Sequence, residues 1–123
     1  MTELRIGTSA FTAAGWPGTF YPEGLPDREY LSYYATRFDT VEIDSTFYRT
    51  PSASRVKGWN AKTHEGFVFA AKIPQVITHE KVLVDCDTEF KQFIEVMDTE
   101  TSSLLHRQCW SARWKLYCVP VRV

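Results

Sequence analysis

Two carboxylates stand two residues apart in TVEID, residues 40–44, where Glu42 and Asp44 alternate with Val41 and Ile43. A lysine, Lys72, falls near the end of the apolar run FVFAAKI, and Thr78 and His79 follow it. These groups can do proton chemistry. A carboxylate can remove a proton, an ammonium can stabilise the negative charge that develops, and an imidazole can shuttle protons. Glu42, Asp44, Lys72 and His79 are therefore the candidate catalytic residues. Ser9, Trp16, Tyr21, Ser45, Tyr48 and Thr78 supply hydroxyls and aromatic faces and are the candidate substrate-binding residues.

Each feature also has a plainer explanation. Glu42 and Lys72 could form an ion pair that only fixes strand register. Asp44-Ser45-Thr46 could be an Asx-type turn closing the strand. His79 could be a loop histidine bonded to backbone, and Phe47 and Tyr48 could serve packing. His64 near a helix end reads as a solvent-facing cap, and Cys86 as a small buried or loop thiol. Glu42, Asp44 and His79 have metal-binding chemistry, but no HExxH, CxxC or tight His pair supports a metal, and none is assigned. No phosphate-binding glycine motif is present, and no cofactor follows from the residues.

The elements that must position these groups alternate in type. LRIGTS, residues 4–9, reads as a short strand. The loop AFTAAGWPGTFYPEGLP is long enough to be functional or a packed lid. A helix is expected from Asp27, with Leu31, Tyr34, Ala35 and Phe38 on one apolar stripe. Residues 40–44 form the second strand. Thr50-Pro51 signals a helix start, with Val56 and Trp59 inward and Gly66 as its stop. Residues 67–73 form a third strand, and Asp87 to Met97 a helix with Phe90, Phe93, Ile94 and Met97 facing inward. This order implies right-handed βαβ units around a parallel sheet.

Side chains alternate across a strand, so each strand offers two sets. Leu4, Ile6, Thr8, Val41, Ile43, Phe67, Phe69 and Ala71 make one apolar face. Arg5, Gly7, Ser9, Glu42, Asp44, Ala70 and Lys72 make the other, small or charged. A sheet covered by helices on both sides would be apolar on both faces. The asymmetry suits a (β/α) barrel whose outer strand face meets helices and whose inner face holds a site. Ser9, Asp44 and Lys72 fall toward the C-terminal strand ends, where parallel α/β folds gather ligands.

Composition narrows the function classes. The chain has 123 residues, 44% hydrophobic and 24% charged, with a formal net charge of -1, so there is no strong nucleic-acid signal and no membrane signal. A small-molecule ligand is the expected partner. No apolar run approaches the roughly 20 residues of a membrane span. The N-terminal residues show no secretory leader, and three cysteines without a CxxC pair suit a reducing cytoplasm.

RIGTS, WPGTFYPEGLP, YYATRFDTVEIDSTFYRTP, EGFVFAAKIPQVITHE and VDCDTEF occur in this order. The combination resembles the YecE-like family, domain of unknown function seventy-two, over about residues 4–98. The resemblance implies a TIM-type (β/α) barrel of roughly twice this length, so this chain would supply its N-terminal part: three to four βα units, incomplete. It implies no established reaction. The motif positions fall on Gly7, Thr8, Ser9, Trp16, Phe20, Tyr21, Pro22, Glu42, Ser45, Thr46, Phe47, Tyr48, Trp59, Lys72, Thr78 and His79. Asp44 stands where many members carry asparagine, and Ala10-Phe11 replaces a glycine-tryptophan pair.

The resemblance divides the chain into a partial barrel domain, 1–98, and a divergent tail, 99–123. The tail carries four basic residues and one acidic, two of the three cysteines and no glycine. A shifted reading frame or damaged gene is the expectation, against a divergent but real end in which Lys115 to Val119 makes a fourth strand. A full TIM barrel needs about 250 residues. The expected product is a truncated, marginally stable or inactive fragment with an open sheet edge available for self-association. For the intact architecture, one expectation is an enzyme using acid/base chemistry on a small polar substrate, phosphorylated or sugar-like. The alternatives are a non-catalytic ligand-binding module and a metal-dependent nucleic-acid-processing barrel.

Overall fold

The computed structural model describes residues 4–98 and the backbone of 114–117. Its elements alternate as helix and strand. A 3-10 turn, Asp27–Glu29, leads into α1, Tyr30–Tyr34, followed by β1, Thr40–Ile43. Next come α2, Ser45–Tyr48, α3, Ala53–Ala61, and β2, Val68–Lys72. A π-type helical turn, Val76–Glu80, precedes α4, Asp87–Met97, and β3, Trp114–Tyr117, closes the described set. The three strands form one parallel sheet in the order β1-β2-β3.

The apolar strand face is covered as the alternation requires. Val41, Ile43, Phe67, Phe69 and Ala71 join Leu31 and Tyr34 of α1, Val56 and Trp59 of α3, and Phe93 and Met97 of α4 in one buried cluster. Phe90 is the exception in the α4 stripe and is exposed. The α3 cap lies beyond Thr50-Pro51: the Ser52 hydroxyl accepts the Arg55 N–H at 3.3 Å, satisfying one of the free donors of the first turn. The helix ends at Ala61, before Gly66.

The first expected strand is reduced to one bridge, Thr8 to Val41. Leu4 and Ile6, expected against helices, are 83% and 68% exposed, because among the described residues the core cluster has no member before Phe11. What anchors this segment is Tyr34. Its buried hydroxyl donates to the Thr40 carbonyl at 3.0 Å and accepts the Thr8 N–H at 2.9 Å. Gly7 makes that approach possible, since a Cβ there would collide with the Thr40 carbonyl.

The glycine- and proline-rich loop is packed. Trp16, Phe20 and Tyr21 form an aromatic cluster that continues into Tyr30, Tyr33, Tyr34 and Phe38. The Trp16 carbonyl accepts N–H groups from Thr19 and Tyr21, and Gly18 turns the chain with φ +77°, a conformation that disfavours other residues. Beyond β2, Val82, Leu83 and Asp85 also adopt left-handed backbone, at φ 50°, 64° and 47°. Lys81 ties that segment down by donating to the Asp85 carbonyl at 3.0 Å and pairing with Glu89.

Candidate active site at the ends of β1 and β2

Register brings the charges together. Each β1 residue from Thr40 to Ile43 pairs with a β2 residue from Val68 to Ala71 in step. Continued by one position, the same step sets Asp44 opposite Lys72. Glu42 lies two residues back on the same face, opposite Ala70, whose small side chain leaves room for the lysine to reach it. The Lys72 Nζ is 3.1 Å from Glu42 Oε1 and hydrogen-bonds Asp44 Oδ1. The three side chains are 24%, 28% and 40% exposed respectively, neither sealed nor fully solvated.

These contacts set the proton affinities. Burial raises the Asp44 carboxyl, but hydrogen bonds involving Lys72 and Glu42 and the lysine charge outweigh it, so Asp44 lies below the ordinary carboxylate range. The Asp44 hydrogen bond raises Lys72 above its usual value; burial opposes this and Glu42 adds to it. Lys72 is thus a fixed cation at neutral pH and Asp44 a fixed anion.

The Asx-type turn proposed after β1 is instead a helical turn, α2, and the Asp44 side chain makes no cap to it. The carboxylate is engaged by Lys72. Thr46 secures this junction from inside: its buried hydroxyl lies 3.0 Å from the Ile43 carbonyl and 2.8 Å from the Lys72 carbonyl. The ends of β1 and β2 are therefore linked through one side chain directly behind the charged pair.

A cleft of about 250 Å³ adjoins the carboxylates. Ala10, Phe11, Thr12, Glu42, Ile43, Asp44, Ser45, Arg55 and Trp59 line it. Of the expected ligand-binding residues, Ser45 is in this lining. Ser9 is exposed next to it in sequence, and Tyr48 is 71% exposed with its ring edge-on to Phe47. Thr78 and His79 bond to each other, Oγ1 to Nδ1 at 2.7 Å, and His79 packs edge-on to Phe47, away from the cleft lining.

Trp16 and Tyr21 lie in the loop's own aromatic packing, outside the cleft lining. Tyr21 is fully buried, stacks on Tyr30 at 4.1 Å and donates its hydroxyl hydrogen to the Phe11 carbonyl. Burial raises its pKa, with Tyr34 and Tyr30 adding to the effect. Trp16 is half-buried against Phe20 and Tyr21. Both hold the loop down, which positions Phe11 and Thr12 at the cleft. Arg55, Phe11 and Thr12 are cleft residues that sequence reasoning missed. The Arg55–Trp59 spacing on α3, one turn apart, was the signal available for Arg55. Among the described residues, no three His, Cys, Asp or Glu side chains gather as a metal-holding cluster. Between Glu42 and Asp44 the cation is Lys72.

Parallel strands carrying charged groups at their carboxyl ends, with helices packed on the opposite face, define an α/β protein with its candidate site at the sheet's carboxyl edge. A family model described as "Protein of unknown function DUF72" matches residues 5–107, and the chain belongs to this family. The chain is 34% identical to the UPF0759 protein YecE of Escherichia coli strain K12 over 67 residues, 54% of this chain and 25% of that protein. It is 29% identical to the UPF0759 protein YunF of Bacillus subtilis strain 168 over 82 residues, 64% of this chain and 29% of that one. The chain thus spans about a quarter of the length of the curated relatives it matches. No solved structure matches it. No helix among the described residues is long and apolar enough to cross a membrane.

Proposed function

We propose that this chain forms the opening βα units of a TIM-type barrel whose mouth performs acid/base chemistry on a small polar substrate in a reducing cytoplasm. The observation that carries this reading is the open cleft along Glu42 and Asp44 while Lys72 holds both. A pair that only fixed register would not need a cavity beside it.

In this reading the two carboxylates take different roles. Asp44, held low, is a weak base and serves as a permanent counter-ion that fixes Lys72. Glu42 is then the general base, taking a proton from a substrate hydroxyl or an acidic C–H. Lys72 supplies the positive charge against which substrate negative charge develops. Thr78 and His79, bonded to each other outside the cleft lining, are given no step in this reading. The three parallel strands among the described residues do not close a barrel, so turnover is sought in a full-length relative.

The test is a thermal-shift screen of small hydroxylated compounds on a full-length relative, followed by turnover assays of the hits. Changing the residue equivalent to Glu42 to glutamine should lower kcat at least ~100-fold with little change in KM. A hit that binds, is never converted and is indifferent to that change would replace the enzyme with a binding module.

A further inference from the structure

The cleft lining carries a cation as well as the carboxylates. On α3, Val56 and Trp59 form the buried stripe, and Arg55 lies at its margin, one turn before Trp59. The Arg55 guanidinium carbon lies over the Trp59 ring, 5.8 Å from its centroid, and both side chains line the cleft. No acidic side chain among the described residues pairs with Arg55. Glu42 and Asp44, in contrast, share the single ammonium of Lys72.

The cleft lining therefore combines two carboxylates, a guanidinium that no acidic side chain among the described residues pairs with, and apolar Phe11, Ile43 and Trp59. At about 250 Å³ and open to solvent, the cleft suits a small molecule. A guanidinium lying on an indole keeps its planar fork of N–H donors available, and that fork matches a carboxylate or phosphate. Ionised carboxylates only accept hydrogen bonds, so Glu42 and Asp44 call for hydroxyl or amine hydrogens.

We propose that the cleft binds a small hydroxylated acid, its anionic group on Arg55 and its hydroxyls donating to Glu42 and Asp44. This rests on the acid/base reading of the site and adds the charge and polarity of the substrate to it. The same guanidinium accepts a carboxylate or a phosphate ester as the anion, and the probes below separate the anion from the hydroxylated body.

The experiment is calorimetric titration of the 123-residue chain with three probes: gluconate (hydroxyls and a carboxylate), sorbitol (the same carbon chain without the anion) and inorganic phosphate (the anion alone). Gluconate should bind about tenfold tighter than sorbitol or phosphate, and Arg55→Gln should remove that advantage while leaving sorbitol unchanged. Arg55 is exposed, so an unchanged amide NMR spectrum confirms that the variant folds. Equal affinities for gluconate and sorbitol, both lost in Glu42→Gln, would overturn the Arg55 assignment and leave the acid/base site standing. Binding of gluconate that needs Arg55 but ignores Glu42→Gln would support the anion site and overturn hydroxyl donation to Glu42, while the general base is judged by turnover. No heat with any probe in the folded chain would overturn both.

Discussion

Replacing Lys72 with methionine keeps an unbranched side chain and removes the ammonium that two carboxylates share. Exposed ion pairs contribute about 0–1 kcal/mol and breaking a buried one costs about 3–5 kcal/mol. With side chains 24–40% exposed, this cluster falls between those limits and solvent screening discounts it toward the lower one, so the loss is about 1–2 kcal/mol. With a urea slope of about 2 kcal/mol per molar, the midpoint drops by roughly 0.5–1 M at pH 7. The pH dependence follows from the directions of the shifts. Asp44, depressed in the folded state, contributes stability above its unfolded value that is lost as pH falls through its folded pKa. Lys72, raised, contributes stability below its unfolded value that is lost as pH rises through its folded pKa. The difference between wild type and variant is therefore greatest between about pH 5 and 10 and shrinks on either side. Urea unfolding followed by tryptophan fluorescence at pH 3, 7 and 10.5 measures it. A variant as stable as wild type at pH 7, or a loss that does not change with pH, would refute the coupling.

Tyr34→Phe removes the hydroxyl that joins Thr8 to Thr40. It should cost about 1–2 kcal/mol and speed amide hydrogen exchange at Thr8 and Glu42, whose N–H donates to the Thr8 carbonyl. Gly7→Ala places a Cβ on the Thr40 carbonyl, so it should detach residues 4–9 from β1, read as loss of the amide contacts between Thr8 and Val41. Among the described strands β3 has a neighbour on one side only, so sedimentation at rising concentration should show dimers or larger species. A strictly monomeric chain at every concentration would contradict edge pairing.

Much of the architecture was legible because it depends on local period. The α4 helix runs from Asp87 to Met97, as its apolar spacing indicates, and Val41 and Ile43 are buried while Glu42 and Asp44 take the other face. Register was not legible: that Asp44 meets Lys72 depends on how β1 and β2 align, which no single segment encodes. The helical turns Ser45–Tyr48 and Val76–Glu80 are too short to show a period. The packing of Tyr21 and Trp16 was not legible for a different reason, since an aromatic residue in a Gly/Pro loop looks the same whether it grips a ligand or closes a core. Arg55 escaped notice because the apolar stripe of α3 marks what faces inward, whereas the cleft lies at the stripe's margin and needs residues 10–12 to complete it.

The most direct measurement is an amide NMR titration of the folded chain with gluconate. The largest shifts are expected at residues 10–12, 42–45 and 55–59, the three segments that wall the cleft. Shifts centred instead on the exposed Val82–Val84 segment, or none in those three, would contradict the assignment of the strand-end carboxylates to a ligand site.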